Sequence, residues 1–420
     1  MFASWSTTCP RSCRSISPAA TTAVPCSTVS CPPPTNAEAQ APGIRTNSAS
    51  GASVTPWACT WKSSQKETDM PYPFAPLPNA LRHIVLAGAL LTGSALVHAD
   101  DVLLVGNKAD ASVSALDTRT GKELVTLKVG TGPHEVVVSG NNLLAVAGNY
   151  GVQGTANNTL SVIDWPTRSV VRTIDLGQDS RPHGIRFLPD SQRVVVTTED
   201  SDRLLVVDLV QGQVTDRIDV GGGKPHMVAL APGAERAYVT HVDGGQLSVV
   251  DLLHKKKLYD IPTGNGSEGV AVTPDGKQVW VSNRGGNEVV IVDPQRREVT
   301  DRIRTGLFPI RVAMTPDGKY ALVTCAKSAE LAVIDVAAKK EIKRIGLARE
   351  GAEYRRTLLG EEALPIGAVV SPDGKQVYVA ISGGDEVAVI DTANWTEKAR
   401  WKTRAEPDAL AIVVQPNQDE

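Results

Sequence analysis

Three histidines follow proline at comparable places in the chain: Pro133-His134, Pro182-His183 and Pro225-His226. Glu268 and Arg311 stand at near-equivalent offsets further on. Glu199, His241 and Arg284 fall in a second register, just after strand-like segments. Neutral imidazoles ligate zinc or copper, and a carboxylate can complete the set. His183, His226 and His241, with Glu199 or Glu268, are therefore the candidate ligands of a divalent metal. The same groups could supply a His/Glu base for hydrolysis, contact an organic or anionic ligand, or hydrogen-bond neighbouring backbone. Equivalent histidines on successive repeats spread round a ring, which is poor geometry for one tetrahedral ion, so no cofactor is assigned to them. A further group lies in the segment 348–364, where Arg355 and Arg356 beside Tyr354 could meet an anionic or aromatic ligand. The chain has no Gly-x-Ser-x-Gly, no phosphate-binding Walker loop, no His-Glu-x-x-His and no Cys-x-x-Cys.

These residues are placed by a repeat. A strand-like run ending in Asp recurs seven times, at Asp117, Asp164, Asp208, Asp251, Asp293, Asp335 and Asp391. The spacings are 47, 44, 43, 42, 42 and 56 residues. A period near 43 holding only strand signals is that of a β-propeller. Each period parses into four short strands. In the fifth, these are 269–273, 279–282, 288–292 and 299–304, with a tight Pro274-Asp275-Gly276-Lys277 turn between the first two. The recurrent Asp is expected to cap the turn that follows it. From residue 102 the chain opens on a second strand, and it ends with a spare first strand, 409–414. The C-terminal strand should therefore join the N-terminal blade and close a seven-bladed, all-β ring of antiparallel blades over 100–416, leaving 417–420 as a tail. In such blades the fourth-to-first and second-to-third connections emerge on one face, so His134, His183, His226, Glu268 and Arg311 should ring the tunnel mouth there. Two long loops, 149–158 and 348–364, are expected on the same face, and excess loop length is often functional.

Tyr238-Val239-Thr240, Val279-Trp280-Val281-Ser282-Asn283, the Pro-Asp-Gly-Lys turns at 274–277, 316–319 and 372–375, and the Val-Ile-Asp strand ends resemble the repeat of the YVTN family of β-propellers. The resemblance covers essentially all of 100–416. It implies the fold and leaves function open, because that family spans surface proteins, periplasmic binding proteins and other members. No Trp-Asp dipeptide occurs, which disfavours the WD40 type.

The first hundred residues read differently. Ser, Thr and Pro make up 30 of residues 1–69, without sustained apolar periodicity. After Met70 come Arg82-His83, an apolar run over 84–97, and small residues at Val97 and Ala99. That is the layout of a secretory signal peptide, too short for a membrane span. Met70 is therefore the expected start, with 1–69 an upstream extension and 70–99 a cleaved signal. Five of the six cysteines fall within the first 59 residues, and the sixth is Cys325. Removing 1–99 leaves 37 Lys+Arg against 43 Asp+Glu, a net charge of −6, and no pair of cysteines for a disulfide. Mild acidity and few aromatics argue against nucleic acid.

The expected protein is periplasmic or secreted, monomeric, without a transmembrane anchor after cleavage, and non-catalytic. It would bind a protein, peptide or small-molecule partner on its loop face. The competing expectations are a lactonase-like or metal-dependent hydrolase and a copper- or quinone-linked redox accessory propeller, with the site at the same tunnel mouth.

Overall fold

The computed structural model describes residues 101–415. The extension 1–69, the signal segment 70–99 and the tail 417–420 lie outside the described residues. Seven four-stranded antiparallel sheets succeed one another along the described chain. The fifth comprises Ser267–Val272, Val279–Asn283, Glu288–Asp293 and Glu298–Arg304, in that order from the axis outward. Its inner strand starts two residues before the apolar run, because polar Ser267 and Glu268 extend it to the tunnel mouth. Closure is as expected: Pro407–Val413 pairs antiparallel with Val102–Asn107, Val413 opposite Val102 and Leu410 opposite Val105.

Each blade buries its faces against the two neighbouring blades, giving seven inter-blade cores. An eighth cluster, Ile310, Ala326, Leu364 and Ile366, lies beneath the 348–364 loop. The strand-end aspartates cap their turns in every blade: Asp117 Oδ1 accepts from the Thr120 amide at 2.8 Å, and Asp208 Oδ1 from the Gln211 amide at 2.7 Å. Cys325 ends the strand Tyr320–Cys325 fully buried, and burial pushes its thiol up to about 11. A neutral thiol packed this way is a small hydrophobe.

Two devices recur where the inner strands begin. The residue before each inner strand takes a left-handed conformation, as Arg181 (φ 56°), Lys224 (φ 57°) and Glu406 (φ 59°) do. The pairing register then slips by one residue, for instance between Pro225 and Val228. Such a bulge re-aims side chains at the rim of a sheet. A hydroxyl on the second strand of four blades stitches the bulge to the next blade. Thr240 Oγ1 accepts from the Met227 amide at 3.1 Å and donates to the Glu268 carbonyl at 2.6 Å. Thr197, Ser282 and Thr324 do the same toward His226, Ile310 and Ile366. The third letter of the repeat motif thus holds the backbone of the residue facing the tunnel mouth.

Two outcomes follow from this architecture. Truncation before Pro407 exposes the edge of Val102–Asn107 and opens the ring; loss of the cooperative thermal transition is expected, whereas removal of 416–420 leaves Tm unchanged. Thr240→Val keeps the shape but orphans the Met227 amide and the Glu268 carbonyl, so urea unfolding should report a loss of about 1–3 kcal/mol.

Candidate functional site

The second residue of each inner strand, next after its Pro or Ser, faces the mouth of the tunnel. In ring order these are Asp408, His134, His183, His226, Glu268, Ile310 and Ile366. The residue just past the second strand supplies a flanking series, including Lys108, Glu199, Arg284 and Ser382, joined by Tyr150 from the extended second strand Leu144–Val152. One side of the ring is therefore ionisable, and the other, from the sixth and seventh blades, is aliphatic. Together they line a cavity of about 230 Å³, roofed on its aliphatic side by Leu358, Leu359 and Leu364 of the long loop.

The three imidazoles form a stack. His183 lies 3.7 Å from His226 and 5.0 Å from His134, centroid to centroid. Tyr150 packs edge-on against His134 at 4.4 Å. His226 is clamped at both nitrogens: Nδ1 is 2.6 Å from Glu199 and Nε2 is 2.8 Å from Glu268. Burial opposes its charge, but Glu268 and then the Glu199 hydrogen bond outweigh burial and raise its pKa to about 10. His226 is thus an imidazolium donating to two carboxylates. Tyr150 donates to the other oxygen of Glu199 at 2.5 Å. Burial, then the Glu199 charge, pushes that phenol above its ordinary range. Arg284 Nη1 sits 2.8 Å from Glu268 Oε2. On the other flank, His134 Nδ1 is 3.0 Å from Asp408, and Lys108 Nζ is 2.7 Å from Glu406. Against the cost of burial, His134 and Lys108 hold Asp408 well below the usual carboxylate range.

His183 is the exception. It is 8 % exposed, and its Nδ1 has no hydrogen-bond partner among the described residues. Burial, followed by the positive charge of His226, drives its pKa well below the ordinary value, so the ring is neutral. A buried polar atom without a partner costs about 1–3 kcal/mol unless something satisfies it.

Several expected site residues are placed elsewhere. Arg311 lines the cavity but does not share the ring of His134: it is one residue deeper, at the cavity floor, where its guanidinium pairs with Glu135. The bulge turns two successive residues toward the axis, which the offset count missed. His241 stays inside its blade, with Nε2 2.8 Å from Ser248 Oγ. Asn107 and Asn149 occupy the same place in their blades and also bond serine hydroxyls, so His241 is a variant of the motif's last letter and is not brought to His183 and His226. Burial holds it neutral, with a pKa of about 4. Tyr354 turns inward on the seventh blade, accepting from the Arg349 amide at 2.8 Å, and Arg355 pairs with Asp385 at 2.9 Å on the rim. Neither lines the cavity. The 348–364 loop reaches it instead through Thr357, Leu358 and Leu359. The other long loop is a strand extension: Leu144–Val152 and Thr155–Asp164 pair out to Val152–Thr155. Its tip lines an outer chamber of about 800 Å³ that shares His134, Tyr150 and Leu358 with the inner one.

His183, Glu199 and His226 are the one trio of His, Cys or acidic side chains among the described residues whose ligand atoms all lie within 4.8 Å. Both His226 nitrogens already meet carboxylates, and its ring lies against that of His183. A metal ion there would have to replace the His226 proton and re-aim both rings. Lys108, Tyr150 and Asp408 complete the site, and Glu135 holds Arg311 at its floor. Lys108, Tyr150 and Asp408 stand at positions that the connection pattern marks, while the pairing of Glu135 with Arg311 across 176 residues leaves no local signal.

Residues 189–353 match the family described as YNCE-like beta-propeller. The chain is similar in structure to hydrazine synthase from Kuenenia stuttgartiensis, with TM-score 0.58 and 21% identity over 67% of this chain and 91% of that one. It is also similar to a functionally unknown protein from Desulfotomaculum acetoxidans DSM 771, with TM-score 0.63 and 15% identity over 76% of this chain and 100% of that one. At these identities the likeness is one of fold. No curated protein matches the sequence. No helix among the described residues is long and apolar enough to cross a membrane.

The His226 clamp has a definite pH signature. Its folded pKa near 10 lies above the unfolded value of about 6.5. The stabilisation is therefore complete below about pH 6.5 and is lost as pH rises through 10. Imidazole ¹⁵N NMR at pH 8 should show both His226 nitrogens protonated. His226→Ala strands Glu199 and Glu268 and should cost about 3–5 kcal/mol in urea unfolding at pH 7.

Proposed function

We propose that this YVTN-type β-propeller is an exported binding protein that takes a small organic ligand at its loop-bearing tunnel mouth. The observation that carries the reading is the two-sided cavity beneath the long loop. One wall is aliphatic, from Ile310, Leu359, Leu364 and Ile366; the other is a preorganised polar cluster ending on a neutral imidazole, His183. Small-molecule sites are mostly apolar concavities with a few fixed polar groups. At about 230 Å³ the inner chamber has room for roughly eight waters. It suits one ring or short branched group of a ligand, whose remainder would lie in the outer chamber. His134, His226, Lys108 and Arg284 are all committed to carboxylates, so the site selects by hydrogen bonding and shape more than by net charge. Export is supported by the signal-like segment 70–99 and by the single cysteine beyond it.

The polar residues hold one another in place and none is poised as a nucleophile. Cys325 is sealed in an inter-blade core, and the Tyr150 hydroxyl is bound to Glu199. A binding role therefore fits better than hydrolysis.

A thermal-shift screen of neutral heterocycles and hydroxylated rings tests the reading. A true ligand should lose at least about tenfold in affinity with His183→Phe, which keeps the ring stack and removes the nitrogen. Leu358→Asp, at a 64 % exposed residue lining both chambers, should weaken it without loss of fold. Ligands indifferent to both substitutions would place binding elsewhere.

A further inference from the structure

The tunnel does not run open from face to face. Just beneath the ligand chamber, Arg311 pairs with Glu135 and rests against Met227, Nη1 3.5 Å from the sulfur. At this level three of the other blades carry glycine, and the first carries only Ala409. A Cβ on Gly269 would lie 2.2 Å from the Ile310 carbonyl oxygen, and one on Gly184 2.7 Å from that of His226. Those three glycine positions leave no room for a side chain, and Glu135, Met227 and Arg311 form the plug.

Below the plug lies a separate cavity of about 730 Å³, opening on the opposite face. Most of the side chains lining it are apolar, including Val138, Phe187, Leu230, Met314 and Ile412, while polar atoms make up about half of its exposed wall. The charged residues lining it are three, all at the plug end: Glu135, Arg186 and Arg311. Two guanidiniums share one carboxylate. Glu135 gives its close contact to Arg311, and Arg186 Nη1 is left 3.8 Å from the second oxygen. Arg186 otherwise donates only to the adjacent Ile185 carbonyl, at 2.7 Å. Its Nε and Nη2 have no protein partner among the described residues, and its side chain is 33 % exposed, toward this cavity. Burial, only partly offset by Glu135, holds its pKa below the ordinary arginine value. A guanidinium presents five donors in a fork matched to a carboxylate.

We propose that this lower chamber is a second ligand site, for a monocarboxylate with an aliphatic body, its head on Arg186 and its chain along the valine-rich wall. The net charge of the three residues is +1, so one anionic head neutralises the plug. The aliphatic body then lies against the apolar side chains of the wall and shields them from water. The site is distinct from the His183 chamber, since the Arg311–Glu135 pair stands between them.

Isothermal titration of the full chain with octanoate, and with octanol as the uncharged probe, tests this. Saturable octanoate binding is expected, with octanol at least tenfold weaker. Arg186→Met should abolish that preference, Arg186→Lys should keep part of it, and His183→Phe should leave it unchanged. In the wild type, NMR should show octanoate methyl contacts to Phe187 or Ile412, a readout that needs no variant to fold. Equal binding of octanol and octanoate, octanoate binding untouched by Arg186→Met, or no saturable binding to the folded protein would each overturn the proposal.

Discussion

A ring of blades must close, and closure dictates most of what this chain can do. Each blade shares its apolar cores with its two neighbours, so seven inter-blade cores must join into one closed ring. The repeat length is therefore held near 43 residues within the blades, and surplus chain can leave only through loops. The final strand Pro407–Val413 removes the one junction that would otherwise be an exposed edge. Both departures from the period, the ribbon around 149–158 and the loop 348–364, emerge on the face where the second residues of the inner strands converge.

Closure also sets what happens along the axis. Seven strands meeting there leave room for one full ring of side chains at the mouth, where the bulges splay outward. One residue deeper the backbones approach so closely that Gly184, Gly269 and Gly367 leave no space for a Cβ. Of the three larger residues at that level, Arg311 meets both Glu135 and Met227. The plug arises because four blades carry only glycine or alanine at that level, and its charge comes from Glu135 and Arg311 among the other three.

Much of this was legible in the sequence. The period, the strand-end Asp residues and the spare terminal strand predict the fold and its closure. The Pro-His offsets predict that His134, His183 and His226 share a ring with Glu268. Three things were not legible, each for a physical reason. A bulge breaks the two-residue alternation, so Arg311 counts as level with His183 when it is one layer down. His241 stands where Asn107, Asn149 and Asn283 stand, and only alignment with those positions reveals a side chain that stays inside its blade. The charges of 348–364 satisfy themselves locally, Arg355 on Asp385 and Arg349 on Glu386, which leaves the loop's leucines to reach the cavity.

The histidine stack follows from charge neighbours rather than from metal-ligand spacing. Three imidazoles at equivalent positions cannot all be cationic at 3.7 and 5.0 Å separations. Glu199 and Glu268 both reach His226, so the proton resides there, and His183 between its neighbours must be neutral. The carboxylates thus act through His226 on His183: fixing charge on one ring keeps the next uncharged, and its unpaired Nδ1 is what a bound molecule can use. An arrangement of this kind is stiff, because moving His226 would break two buried ion pairs at once. Stiffness favours recognition of a fixed shape, since little side-chain freedom remains to be lost on binding.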